Sequence, residues 1–126
     1  MDTIAIIDDD EDTGVLLSYL FKEKWNVVVY HSWDGTMPLL EKDPPNLILL
    51  DISLPGSSGE VILKEIRNRN RLKNIAVIAL TGHALPEDRS RFLREGFDEY
   101  ISKPIMDQEQ LILLVERVLT EHTRRV

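Results

Sequence analysis

The chain has no cysteine. Disulfide frameworks, thiol nucleophiles and zinc–thiolate centres are therefore excluded. It also lacks any apolar run of the ~18 residues that a membrane-spanning helix needs. The N-terminus, Met1-Asp2-Thr3, places no basic segment before the first apolar stretch, so neither secretion nor membrane insertion is expected. A cytoplasmic location fits these absences. Positive charge is scarce: 15 Lys and Arg against 22 Asp and Glu leave a formal net charge of −7, which argues against direct binding to nucleic acid. The basic segment from Arg67 to Lys73 stands where a helix would end and reads as a complement to the helix dipole. Repeats, low-complexity tracts and linkers are absent as well.

What remains is 126 residues, the length of one domain, taken as 1–126. Short apolar runs alternate with longer amphipathic stretches. The runs are Ile4-Ala5-Ile6-Ile7, Val27-Val28-Val29-Tyr30, Asn46-Leu47-Ile48-Leu49-Leu50, Ile75 to Leu80 and the weaker Glu99-Tyr100-Ile101. Runs without polar alternation suit strands covered on both faces. Between them, helices are predicted over Thr13 to Lys24, from Asp34-Gly35 to near Lys42, over Gly59 to Arg69, from Pro86 to Glu95 with Gly96 as the stop, and over Asp107 to His122. The expected inward residues are Val15, Leu16, Tyr19 and Leu20 on the first helix, and Val61, Ile62 and Ile66 on the third. On the fifth they are Leu111, Leu114, Val115 and Val118.

Strict β-α alternation implies right-handed crossovers and a parallel sheet. The expectation is an α/β, doubly wound, five-stranded parallel sheet with five helices. Its strand order, 2-1-3-4-5, is the known flavodoxin-like arrangement and does not follow from the spacing.

In such sheets ligands bind beyond the carboxyl ends of the strands. Asp8, Asp9, Asp10, Glu11 and Asp12 follow the first run, Asp51 the third, Thr81 and Gly82 the fourth, and Ser102, Lys103 and Pro104 the fifth. Asp12 with Thr13 could also serve as an ordinary helix cap. Asp8, Asp9 and Asp51 together bring three negative charges and Lys103 one positive charge. That imbalance favours a hard divalent cation with oxygen ligands, and Mg²⁺ fits. The chemistry this suggests is nucleophilic attack by the Asp51 carboxylate on a phosphoryl group. Asp8 and Asp9 would hold the metal, Lys103 would neutralise phosphoryl charge and the Thr81 hydroxyl would donate to a phosphoryl oxygen.

These residues carry a resemblance. The segments Ile4 to Asp10, Leu49 to Gly59, Ala79 to Ala84 and Gly96 to Ile105 resemble, in order and over essentially the whole chain, the receiver domain of bacterial two-component response regulators. The resemblance implies a signalling switch rather than an enzyme. Asp51 would take a phosphoryl group from a histidine kinase or a histidine phosphotransfer protein. It implies Asp9 as a direct Mg²⁺ ligand, Asp8 acting through water, and the Ser53 backbone carbonyl as a further ligand. Thr81 and Tyr100 match the paired switch positions, and the Lys103–Pro104 bond is expected to be cis. Two positions depart from the commonest pattern. Ser53 stands where a larger apolar residue is frequent, and His83 where a small one is. Both flank the approach of water and bear on the phosphate lifetime.

Gly56-Ser57-Ser58-Gly59 lacks the Lys and the spacing of a P-loop and reads as a turn. His31, His83 and His122 have no metal-ligand spacing, and Trp25 and Trp33 read as packing residues. The last helix carries more apolar residues than one buried face needs, so a partner surface or homodimer interface there is one expectation. Two rival functions share parts of the pattern. A haloacid-dehalogenase-type phosphatase would use Asp8 as its nucleophile, but it expects a small β-branched residue near position 12 and leaves Asp51 unexplained. A flavodoxin-like electron carrier would need a Ser/Thr/Gly-rich loop after the first strand, where this chain is acidic. The chain is short of a DNA-binding or catalytic output domain, so it is expected to be either a single-domain regulator or the first domain of a longer one.

Overall fold

The computed structural model describes residues 1–82 and 85–125, the last three by backbone alone. Five strands, β1 (Thr3–Ile7), β2 (Asn26–Tyr30), β3 (Leu47–Asp51), β4 (Ala76–Thr81) and β5 (Glu99–Ser102), alternate with five helices. These are α1 (Glu11–Phe21), α2 (Thr36–Lys42), α3 (Gly59–Arg67), α4 (Asp88–Glu95) and α5 (Gln108–Arg125). All strand pairings are parallel, in the order β2-β1-β3-β4-β5, as expected. The two largest departures at helix boundaries lie at α1, which starts two and ends three residues earlier, and at α5, which runs three residues past His122.

Alternate residues of each strand face opposite sides of the sheet, and each side is roofed by helices. Ile4, Ile6, Leu47, Leu49, Ile78 and Leu80 pack under α1 and α5. Ala5, Ile7, Ile48, Leu50, Val77 and Ala79 pack under α2, α3 and α4. A fully buried Leu or Ile contributes roughly 1.5–3 kcal/mol, so the all-buried runs β3 and β4 anchor the fold. β2 differs from expectation. Its edge position is the one the expected order gives it, but none of its residues is buried, although the continuous valines suggest a strand covered on both faces.

The inward face of α1 also differs. Gly14, Leu17 and Phe21 are buried, whereas Val15 and Tyr19 are 70% and 68% exposed. The α1 stripe turns on Gly14, where a β-carbon would stand 3.0 Å from a Val29 methyl. On α3, Ile62, Leu63 and Ile66 are buried and Val61 is exposed. On α5, Leu111, Val115, Val118 and Leu119 are buried, Leu114 is half-buried and Leu113 is exposed. Trp25 packs edge-on against Phe21, as a packing residue should. Trp33 does more, donating its indole N–H to Glu65 at 2.7 Å.

Gly59 opens α3 against the exit of β3. A β-carbon there would lie 2.6 Å from the Ile52 β-carbon and 2.7 Å from its α-carbon, so only glycine lets α3 begin this close to Asp51. Gly96, at φ +112°, ends α4 in the left-handed conformation that favours glycine, as its position suggests.

Candidate functional site

Parallel strands end on one edge, so the residues that follow β1, β3, β4 and β5 meet there. Asp8 directly follows β1, and Asp51 is the last residue of β3. Both are buried, while Asp9 is exposed beside them. One carboxylate oxygen from each of the three lies within 4.8 Å of the others, a spacing that suits a shared cation.

Local backbone geometry orients two of these carboxylates in the same way. The Asp10 N–H donates to Asp8 Oδ1 at 2.9 Å, and the Ser53 N–H donates to Asp51 Oδ1 at 2.9 Å. Each Oδ1 is thus held by the backbone two residues on, and each Oδ2 faces Lys103. The Lys103 Nζ lies 2.6 Å from Asp8 Oδ2 and 3.5 Å from Asp51 Oδ2. Lys103 in turn is fixed by its backbone: its N–H donates to the Thr81 carbonyl at 2.8 Å, and the Lys103–Pro104 bond is cis.

Burial pushes the Asp51 carboxyl above the usual aspartate range. The Ser53 N–H and Lys103 oppose that shift, and the Asp8 charge reinforces it. Lys103 moves the other way in energy. Burial would lower its pKa, but its bond to Asp8 and the charges of Asp8 and Asp51 outweigh burial and raise it. One ammonium therefore faces two carboxylates, with a third, Asp9, beside them. The surplus of hard oxygen donors is the feature that a divalent cation satisfies.

Thr81 ends β4 in register with Ser102 and is buried at the same edge. Ser53 is exposed, with its N–H turned to Asp51. Tyr100 stands apart from the carboxylates. It pairs in register with Ala79, and its half-buried ring lies 5.5 Å from that of Phe92 on α4. His83 lies outside the described residues.

Three features escaped the sequence reading. The cap of α1 is Asp10, not Asp12: its carboxylate accepts from the Asp12 N–H and the Thr13 hydroxyl, each at 3.0 Å, because the helix starts two residues earlier than its apolar pattern suggests. His31 on the β2 exit meets the Asp8 carbonyl at 3.2 Å through Nδ1. Glu99, in β5, is buried and held by Arg89 of α4 and Arg117 of α5 at 3.1 Å each. No local spacing signals that cluster, since its partners lie ten residues before and eighteen after.

Burial acts to raise the Glu99 pKa, but the two arginines outweigh it and depress the group below the usual glutamate range. Its stabilisation is present above the ordinary glutamate value and is lost as pH falls through the depressed one. Glu99→Gln is therefore expected to cost about 2 kcal/mol at neutral pH, since breaking a buried pair costs more than breaking an exposed one. The gap from wild type should close in acid. Urea unfolding of both proteins across the acidic range measures it, and a gap that widens as pH falls would contradict the assignment.

Among the described residues no helix is long and apolar enough to cross a membrane. A doubly wound sheet whose strand ends gather three aspartates, a lysine and a threonine places the chain in the class of α/β proteins with an acidic site at the carboxyl edge of the sheet. Residues 4–116 match the profile of the response regulator receiver domain. The chain belongs to this family, a family of phosphorylation-dependent signalling switches.

It is 34% identical over 115 residues to an uncharacterized 14.6 kDa protein from Leptolyngbya boryana, covering 90% of this chain and 87% of that one. It is 30% identical over 117 residues to the phosphate regulon transcriptional regulatory protein PhoB of Escherichia coli K12, covering 92% of this chain and 51% of PhoB. The chain thus spans about half the length of such transcriptional regulators. Among solved structures, a CheY-like response regulator receiver domain protein from Methanospirillum hungatei JF-1 superposes with a TM-score of 0.86 at 25% identity, over 100% of this chain and 99% of that one.

Proposed function

We propose that residues 1–126 form a receiver domain that accepts one phosphoryl group on Asp51 from a histidine kinase or a histidine phosphotransfer protein, and then changes its binding to a protein target. The observation that carries this reading is the shared orientation of Asp8 and Asp51 around Lys103. It leaves a buried carboxylate facing a cation at the carboxyl edge of the sheet.

In this reading an Asp51 carboxylate oxygen attacks the phosphorus in line. A new O–P bond forms as the donor's N–P bond breaks, and the imidazole leaves with the electron pair and takes up a proton. The Ser53 N–H fixes the carboxylate plane. The Lys103 ammonium stands where negative charge accumulates on the phosphoryl oxygens, held there by Asp8, while the Lys103 backbone N–H is fixed on the Thr81 carbonyl. Asp8, Asp9 and Asp51, with the Ser53 carbonyl, would hold Mg²⁺. When bound, the ion supplies further charge neutralisation and orients the phosphoryl group. The Thr81 hydroxyl donates to a phosphoryl oxygen once the group is present. The Tyr100 ring then turns inward, altering the face built from α4, β5 and α5. That face also carries a groove of about 280 Å³ lined by Tyr100, Ile105, Met106 and Leu114, among others. It is the natural place for a protein target or a second copy.

The test is incubation with acetyl phosphate and Mg²⁺, followed by intact mass and mapping of the modified residue. The wild type should gain one phosphoryl group at Asp51, prior chelation of Mg²⁺ should prevent it, and Asp51→Asn should gain none. Labelling at Asp8 would favour the phosphatase reading, and substantial labelling of Asp51→Asn at any other residue would refute the assignment.

A further inference from the structure

The Glu99 carboxylate is only 7% exposed, yet three elements of the fold converge on it. Arg89 grips it with a two-point fork, Nε to Oε1 and Nη2 to Oε2, each at 3.1 Å. Arg117 reaches Oε2 with Nη2 at 3.1 Å, while its Nη1 is held on the outer side by Glu121. The Tyr100 N–H approaches Oε1 at 3.4 Å. Such forked, charge-assisted bonds are among the strongest polar contacts available and are specific in geometry.

The placement of these groups ties them to the site at Asp51. Arg89 sits on the first turn of α4, at the end of the connection that leaves β4 after Thr81. Phe92, one turn further on, is buried and stacks on Tyr100. One stretch of α4 thus holds two successive residues of β5, Glu99 by charge and Tyr100 by its ring. Any shift of α4 away from β5 must break the Arg89 fork as well as the contact between Phe92 and Tyr100. Arg117 makes that release feasible. A buried carboxylate stripped of its only partner is strongly unfavourable, whereas Glu99 keeps a second arginine when the first lets go.

Resting on the reading of Asp51 as the acceptor, we propose that Glu99 is a positioning residue and that the Arg89–Glu99–Arg117 cluster is a latch. Arg89 holds the start of α4 in place, and Arg117 is the standby partner that carries Glu99 when the latch opens.

The two arginines make the test specific, because both are about half exposed and each can be removed without emptying the core. Arg89→Met and Arg117→Met are compared with wild type by two measurements. One is amide hydrogen exchange across residues 88–95 in the unphosphorylated protein, and the other is the initial rate of labelling by acetyl phosphate. Arg89→Met should speed exchange in α4 by on the order of tenfold, the scale expected for loss of a half-exposed two-point fork, and speed labelling severalfold. Arg117→Met should leave α4 exchange near wild type, since the Arg89 fork is intact, and should not speed labelling.

Equal exchange in Arg89→Met and wild type would overturn the latch. So would equal acceleration in both variants, which would show a general loosening of the face. Faster exchange with an unchanged labelling rate would overturn the link to phosphorylation. Absence of any label on the wild type would count against the proposed function instead, and the exchange comparison would still decide whether Arg89 holds α4.

Discussion

Lys103→Met is expected to lower stability by about 3–5 kcal/mol in the absence of divalent cations, the usual cost of removing one partner from a buried ion pair. Asp8 is 0% exposed, and its Oδ2 has the Lys103 ammonium at 2.6 Å. Its other oxygen is engaged by the Asp10 N–H, which cannot neutralise the charge. Methionine keeps the length and apolar bulk of the lysine stem, so the loss reports the charge rather than a cavity. The wild-type pairing raises the Lys103 pKa, the Asp8 bond overcoming the effect of burial. Its stabilisation is therefore present below the ordinary lysine value and lost only as pH rises through the raised one.

The same substitution separates the roles of ammonium and metal. A ligand that binds only the folded state stabilises it in proportion to the logarithm of its concentration over its Kd. With Lys103 gone, three carboxylates face one another uncompensated, and Mg²⁺ should bind more tightly and recover much of the lost stability. Phosphoryl uptake should not recover with it. Loss of one preorganised positive group beside developing charge costs roughly 10²–10³ in rate. Thermal melts with chelator and with Mg²⁺, alongside labelling by acetyl phosphate, provide the measurement. A variant as stable as wild type in chelator would show that Asp8 does not depend on Lys103.

The residues at the carboxyl edge were legible in the sequence because of how a parallel sheet is built. Asp8, Asp51, Thr81 and Lys103 each follow an apolar run, and strands that all point one way deliver their ends to one place. Orientation within that edge was not legible. That Asp8 and Asp51 are both held by an N–H two residues on, and so turn the same oxygen to Lys103, depends on backbone angles that composition does not encode. The faces of α1 were obscured by excess. Val15, Leu16, Leu17, Tyr19, Leu20 and Phe21 satisfy more than one helical stripe, and the choice is made by Gly14, which carries no hydrophobic signal. The continuous valines of β2 imitate a central strand, since a run of apolar residues does not say which strands will flank it. Glu99 was hidden for the opposite reason, because its partners come from two distant helices that only the tertiary fold brings together.

Distance in sequence likewise hid Arg67, whose loss should have the largest effect on stability of the polar changes considered away from the acidic site. It sits at the end of α3, on the amino-terminal edge of the sheet, opposite the carboxylates. Its guanidinium donates to the carbonyls of Lys73 at 3.1 Å, of Ile75 and of Gly96 at 2.9 Å, and to Asp98 Oδ2 at 3.2 Å. One side chain thereby ties α3 to the segments that enter β4 and β5. Asp98 completes the tie, accepting from the Val77 N–H at 2.8 Å and lying beside His122 of α5. Arg67→Ala would leave three carbonyls and a carboxylate without this partner. The site is about a quarter exposed, so water restores some of those bonds. The expected loss is accordingly about 2–4 kcal/mol, or roughly 10 °C in Tm. Arg67→Lys should recover little of it, because a compact ammonium cannot reproduce a planar fork spread over four acceptors. Labelling of Asp51 under native conditions should be unchanged in both variants, since the sheet's full length separates the two edges. Urea unfolding of the Ala and Lys variants measures the effect. A lysine variant as stable as wild type would show that only the positive charge near Asp98 matters, and that the carbonyl contacts contribute nothing.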